Sequence, residues 1–267
     1  MRVKVQRWLR NHPATCLIIV VLVGVLISSA FQGDSLVFIT MQSLVLALFL
    51  VGALFLLDRD YFGLARQIKI TKGKGICLSL LAIALVAAIV SYAHFLSETK
   101  SIGDAWITYI AAFVVMCLCT GVFEEFLFRG ILFYTVNEGF KEKKHSFIKA
   151  AVVTSVLFGL FHISSSSSTT EVIDTVMLVQ AFLKPVQAAL FGFIMTALFV
   201  CTKSLWPLAL LHALNNLIMQ LPQVLFTGSI TTTYLSGSAY DLFGLCITTL
   251  LYVPLLVVSV KILREAE

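Results

Sequence analysis

Eight apolar runs, each about as long as a bilayer is thick, occupy most of the chain: approximately 14–31, 35–57, 76–96, 105–137, 147–163, 176–203, 205–226 and 242–263. A spanning helix needs roughly 20 mostly apolar residues. Lipid offers no water to satisfy backbone polar groups, so a span is a helix or part of a closed barrel. No strand-type alternation competes with helix over these lengths. The expected class is all-α, a polytopic membrane protein of about eight transmembrane helices. Composition agrees: 59% of the 267 residues are hydrophobic and 12% are charged, about half the charged share of a soluble domain. A disordered chain would show the opposite balance.

The net charge of +5 could indicate nucleic acid, but the basic residues lie between apolar runs, so topology explains them without such a partner. With the N-terminus inside, the cytoplasmic segments hold four basic residues at Arg2–Arg10, five from Arg59 to Lys74, then Lys141, Lys143, Lys144, Lys149, Lys203, Lys261 and Arg264. The outer segments hold Lys100 alone. This bias predicts a multi-pass cell-membrane protein with both termini cytoplasmic. The first run reads as a retained span, because the second follows after a few residues.

Two runs are unusual. Run 105–137 would be about 50 Å of helix against a hydrocarbon core of about 30 Å, so it must tilt, break or extend along the interface. Run 176–203 contains Lys184-Pro185, which predicts a short outer piece, a span beginning near Pro185 and a Lys184 that snorkels to the outer interface. Ser164–Ser168 with Thr169 and Thr170 reads as an outer loop. The six cysteines all lie in apolar runs, as small buried side chains rather than a disulfide framework.

Glu124, Glu125 and Arg129 stand apart, because they sit inside an apolar run, Gly121-Val-Phe-Glu-Glu-Phe-Leu-Phe-Arg-Gly130. An ionisable group at mid-membrane costs at least about 2.5–3.5 kcal/mol, so such residues are candidates for function. Glu125 and Arg129 are i,i+4 and can pair on one helix face. Glu124 is about 100° away and is left to face a cavity, as a candidate general base. The plain alternative is a structural lock in which both glutamates share Arg129.

Two histidines also lie in apolar runs, His162 in Phe158-Gly-Leu-Phe-His162 and His212 in His212-Ala-Leu-Asn-Asn216. His212 and Asn216 are i,i+4 and share a face. Depth counting puts Glu124 and His212 level but His162 deeper, so convergence needs a late-starting or tilted helix. His94 reads as a histidine bonded to a backbone carbonyl. Carboxylate, two imidazoles and an amide suit attack of water on an amide carbonyl: Glu124 and His162 on the water, His212 and Asn216 as hydrogen-bond donors to the oxyanion. Two histidines and a carboxylate would also suit zinc, although the chain lacks His-Glu-x-x-His.

Glu124-Glu125-x-x-x-Arg129-Gly130, Phe158-x-x-x-His162 and His212-x-x-x-Asn216, in this order on successive runs, closely resemble the CPBP family. That family comprises the CAAX-processing and bacteriocin-processing (Abi) intramembrane proteases related to Rce1-type CAAX endopeptidases. The resemblance implies about eight helices around a cytoplasm-facing polar cavity, with water activation at Glu124 and His162. It places oxyanion stabilisation at His212 and Asn216, and makes Glu125 and Arg129 the supporting pair. It implies a glutamic-type endopeptidase without a cofactor, with a zinc metalloprotease as the alternative, acting on membrane-associated peptides or proteins.

The expected organisation is a three-span region at 1–104, a catalytic core at 105–226, and an outer loop with the last span at 227–267. The compact chain and short loops favour bacterial peptide processing or bacteriocin self-immunity over trimming of prenylated CAAX proteins. A non-catalytic immunity or scaffold protein, or a transporter, would use the same polar cavity. Tyr240-Asp241 and Gly103-Asp104 echo presenilin-like aspartyl proteases, but both aspartates sit at outer helix ends and read as turn and cap residues.

Overall fold

A computed structural model describes residues 12–31, 35–57, 73–98, 101–103, 105–163, 174–230 and 235–266. Each apolar run is a helix: α1 Pro13–Ala30, α2 Leu36–Leu57, α3 Lys74–Ser97, α4 Trp106–Phe140, α5 Ser146–Leu160, α6 Thr175–Thr202, α7 Leu205–Thr227 and α8 Ala239–Glu265. No strand occurs among the described residues. Helices α2, α3, α4, α6, α7 and α8 are long and apolar enough to cross a membrane, whereas α5 and the apolar stretch Ile18–Ala30 of α1 are shorter. The chain is a multi-pass membrane protein. The loop expected at Ser164–Thr170 lies outside the described residues.

Packing assigns the helix ends to two faces of the bundle. At one face Phe133 of α4 meets Phe147 of α5 and Phe199 of α6, and Lys203 lies over the Phe147 ring. At the other, Tyr92 and Phe95 of α3 pack on Phe226 of α7, His94 stacks on Tyr240 of α8, and the Gly103 N–H donates to the Leu225 carbonyl. Helix α6 runs through the middle, and its stretch Phe191–Val200 is buried on all sides, as expected of a helix apolar around its whole circumference.

The long run is one helix rather than a broken one, but seven residues, Phe126–Leu132, are wound as a π-helix. All seven residues are buried. The wider turn begins directly after Glu125 and contains Arg129, so the local geometry changes where the charges are; π segments recur at functional positions. Run 176–203 corrects the sequence expectation. Helix α6 continues through Pro185 without interruption, because neighbouring helices in a bundle can take over the freed backbone groups. The Pro185 carbonyl faces Gly159 of α5.

Glycines set the two crossings that matter for the site. A Cβ on Gly121 would collide with the Ala209 carbonyl oxygen, so α4 and α7 touch backbone to backbone. A Cβ on Gly159 would sit 2.5 Å from the Pro185 carbonyl oxygen, which brings α5 equally close to α6. Small residues at such crossings are the main means by which membrane helices pack tightly. Gly121→Ala should therefore lower the thermal unfolding midpoint in detergent, by the equivalent of about 1–3 kcal/mol. Gly52→Ala, where a Cβ meets nothing, should be neutral. Equal losses in both variants would remove the crossing from the explanation.

Candidate active site

The site is assembled outward from a fully buried ion pair. Arg129 donates from Nη1 to Glu125 Oε1 at 2.9 Å, and both side chains are essentially inaccessible. Its other arm, Nη2, donates to the Gly192 carbonyl of α6 at 2.9 Å, and the guanidinium lies 4.9 Å from the Phe158 ring centre. Phe158 packs against Gly192, where a Cβ would come within 3.2 Å of the ring. One cation thus ties α4, α5 and α6 together by a carboxylate, a carbonyl and an aromatic face, the combination a planar guanidinium suits best.

Glu125 has a second partner that helical spacing alone did not show. The same Oε1 accepts from Nδ1 of His212 on α7 at 2.7 Å. A carboxylate can only accept from Nδ1, so Nδ1 carries the hydrogen and the ring's other nitrogen is turned the opposite way. That nitrogen, Nε2, lies 3.5 Å from Oε2 of Glu124. The imidazole also stands edge-on to Phe191 of α6, centroids 4.9 Å apart. Glu124 and Glu125, adjacent in sequence, therefore address opposite sides of one ring.

Glu124, His162, His212 and Asn216 line a single cavity of about 390 Å³. The depth mismatch anticipated for His162 does not arise. Helix α5 ends at Leu160, and His162 follows in the succeeding turn with its Nδ1 on the Phe158 carbonyl at 2.8 Å. A carbonyl only accepts, so His162 too is fixed with Nδ1–H inward and a lone pair on Nε2.

Several cavity residues were missed or misplaced in sequence. Lys184 lines the cavity and donates to Gln187 at 3.0 Å, which corrects its reading as an interfacial lysine. Gln187 bonds Thr248 of α8. Asn215, adjacent to Asn216, is 3% exposed, faces the cavity and has no hydrogen-bond partner on Oδ1. Tyr252 of α8, which interacts with Asn215, helps close the floor. His94 stacks on Tyr240 at 4.4 Å and faces Glu98 at 3.5 Å, one helical turn on, which replaces the simple carbonyl-bonded reading. Lys184 was visible as a charge in an apolar run, and His94–Glu98 and Lys184–Gln187 are one helical turn apart; the Gln187–Thr248 and Asn215–Tyr252 pairings cross between helices and carry no local signal.

Among the described residues, no group of three or more His, Cys, Asp or Glu side chains converges closely enough to hold a metal ion. The polar lining instead includes the Glu124 carboxylate, the His162 and His212 imidazoles, the Asn215 and Asn216 amides and the Lys184 ammonium around one space, a set that can position a water beside a carbonyl.

Arg129→Ala should be mainly a stability defect. It strands Glu125, whose Oε2 already lacks a partner, and breaking a buried pair costs about 3–5 kcal/mol. Low yield and a depressed melting temperature in detergent are expected. A well-folded but inactive Arg129→Ala protein would contradict this division of labour.

Residues 104–218 match the family model described as type II CAAX prenyl endopeptidase Rce1-like. No curated protein and no solved structure matches the chain.

Proposed function

Because residues 104–218 match the Rce1-like family model, we propose that the chain is an intramembrane endopeptidase that hydrolyses a peptide bond by activated water without a metal. One observation carries this reading: Glu124, His162 and His212 line the same cavity, and each imidazole is held by a hydrogen bond on its Nδ1. Preorganisation of this kind is what electrostatic catalysis requires, because nothing need reorient as charge develops.

In the proposed step a water donates one hydrogen bond to Glu124 and one to His162 Nε2. Glu124 takes the proton as the oxygen attacks the carbonyl carbon. The oxyanion is met by the Asn216 amide and by His212. Nε2 of His212 must carry a hydrogen to donate there while Nδ1 keeps its own, and Glu125, which takes up no proton in the step, balances the charge of the ring from the Nδ1 side. Collapse of the intermediate returns the Glu124 proton to the leaving nitrogen. Glu125 and Arg129 hold His212 and touch no substrate.

We assign the substrate to membrane-associated peptides or proteins, with bacterial peptide maturation or bacteriocin self-immunity as the setting. The description of the matched family favours a second reading, trimming of a prenylated CAAX C-terminus. Prenylated and unprenylated versions of one peptide separate the two, because only the second reading demands the lipid.

Glu124→Gln should lower kcat by about 10²–10⁴-fold and Asn216→Ala by about 10²–10³-fold, with both proteins folded. If Glu124→Gln and His212→Ala both keep full immunity without cleaving peptide, the cavity is a binding or transport site instead; retained cleavage would place the catalytic groups elsewhere. Activity should also survive exhaustive chelation; loss that zinc restores would convert the assignment to a metalloprotease.

A further inference from the structure

With Glu124, His162, His212 and Asn216 taken as the floor of the cavity, the amides around it fall into two groups. On α6, Gln180 donates from Nε2 to the Ser236 hydroxyl at 3.0 Å and the Ser238 carbonyl at 3.2 Å, and accepts from the Gly237 N–H at 3.1 Å. Gln187 accepts from Lys184 and donates to Thr248. Both glutamines are buried, and their hydrogen bonds tie α6 to α8 and to the residues just before it. Asn215 belongs with them: its Nδ2 donates to the Met219 sulfur at 3.4 Å and its Oδ1 is inaccessible. These three amides hold the wall together.

Asn216 and Gln220 differ. Both line the cavity and are half-buried, and neither forms a hydrogen bond with another described residue. Their polar side-chain atoms are accessible. An amide left bare inside a membrane bundle is costly, so these two face water or a guest.

Their placement fits one kind of guest. Counted from His212, Asn216, Gln220 and Gln223 follow four, eight and eleven residues along α7, all lining the cavity within about 80° of arc. Asn216 and Gln220 are separated by about 6 Å along the axis. An extended polypeptide presents the groups of one edge every second residue, about 6.4–6.8 Å apart. A carboxamide offers a donor and an acceptor, as a peptide unit does, so such a stripe can pair with main chain as an exposed strand edge would. Gln220 lies beyond the segment that the family model matches.

We propose that Gln220 binds the main chain of an extended polypeptide guest. With the scissile carbonyl at Asn216, the peptide unit two residues away falls opposite Gln220. The wall of α7 then selects an unfolded segment rather than particular side chains. This deepens the peptidase reading and rests on it for the cleavage, although the binding itself needs no chemistry. Gln220 meets the guest equally before and during reaction, so it acts on KM rather than on kcat.

The test uses the full chain in detergent, in a Glu124→Gln background so that bound peptide is not consumed. The probes are a fluorescein-labelled decapeptide of alternating alanine and leucine, and two forms of it with esters in place of alternate amides, one for each edge. An ester removes the N–H donor without adding bulk. Fluorescence anisotropy should show Gln220→Met binding the all-amide peptide about 3–10-fold more weakly. One ester form should be weakened comparably, and Gln220→Met should have no further effect on that form, as coupled partners require. Gln220→Ala gives the same comparison where the methionine variant is unstable. Unchanged affinity in these variants, an equal loss with all three probes, or no binding of the decapeptide overturns the proposal and leaves the cavity to water. With Glu124 restored, Gln220→Met should raise KM about 3–10-fold and keep kcat within about twofold; a fall in kcat at constant KM overturns it too. A decapeptide that binds through Gln220 but is never cleaved by the unaltered protein removes the peptidase reading and leaves the binding assignment standing.

Discussion

Everything at the site depends on Oε1 of Glu125 accepting two hydrogen bonds at once, one from Arg129 on its own helix and one from His212 on α7. A carboxylate wholly removed from water must be matched by donors, since an isolated buried charge costs far more than packing returns. Here one donor is permanently cationic and fixed to α6 through the Gly192 carbonyl. The other is the ring whose far nitrogen faces the cavity. The ion pair is thus both the junction of α4, α6 and α7 and the device that sets the orientation of His212. The lock posed from sequence, with both glutamates on Arg129, takes the form of a Glu125–Arg129 ion pair, while Glu124 is turned to His212 Nε2.

That junction has a geometric precondition. His212 can reach Glu125 only if α7 lies against α4 without an intervening side chain, and Gly121, one turn before Glu125, provides this by exposing backbone to the Ala209 carbonyl. The π segment that follows offsets the remaining turns of α4. The second crossing, Gly159 on the Pro185 carbonyl, brings His162 to the same cavity from α5. Two close approaches therefore deliver three chemically useful side chains from three helices.

What could be read from the sequence follows from how each property is encoded. The helices were legible because lipid permits few alternatives. Glu124, Glu125 and Arg129 were legible because charge is scarce in these runs, and the Glu125–Arg129 pair because i,i+4 spacing is a local rule. The partnership of Glu125 with His212 spans 87 residues and has no local signature. Lys184-Pro185 misled for a physical reason: in water a mid-run proline ends a helix, whereas in a bundle the neighbouring helices compensate. Depth estimates for His162 failed because they assumed full-length straight spans, while α5 has 15 residues and His162 lies just past its end.

The division between floor and wall also bears on how far the family match reaches. Glu124, Glu125, Arg129, His162, His212 and Asn216 all fall within 104–218, but Ser91 and His94 on α3, and Tyr240, Asp241, Thr248 and Tyr252 on α8, lie outside it. The matched segment supplies the carboxylate, imidazoles and amide assigned to the proposed chemistry; the unmatched helices supply further lining of the same cavity. A shared floor constrains what can be done to a carbonyl once it arrives, but not which polypeptide arrives or from which side.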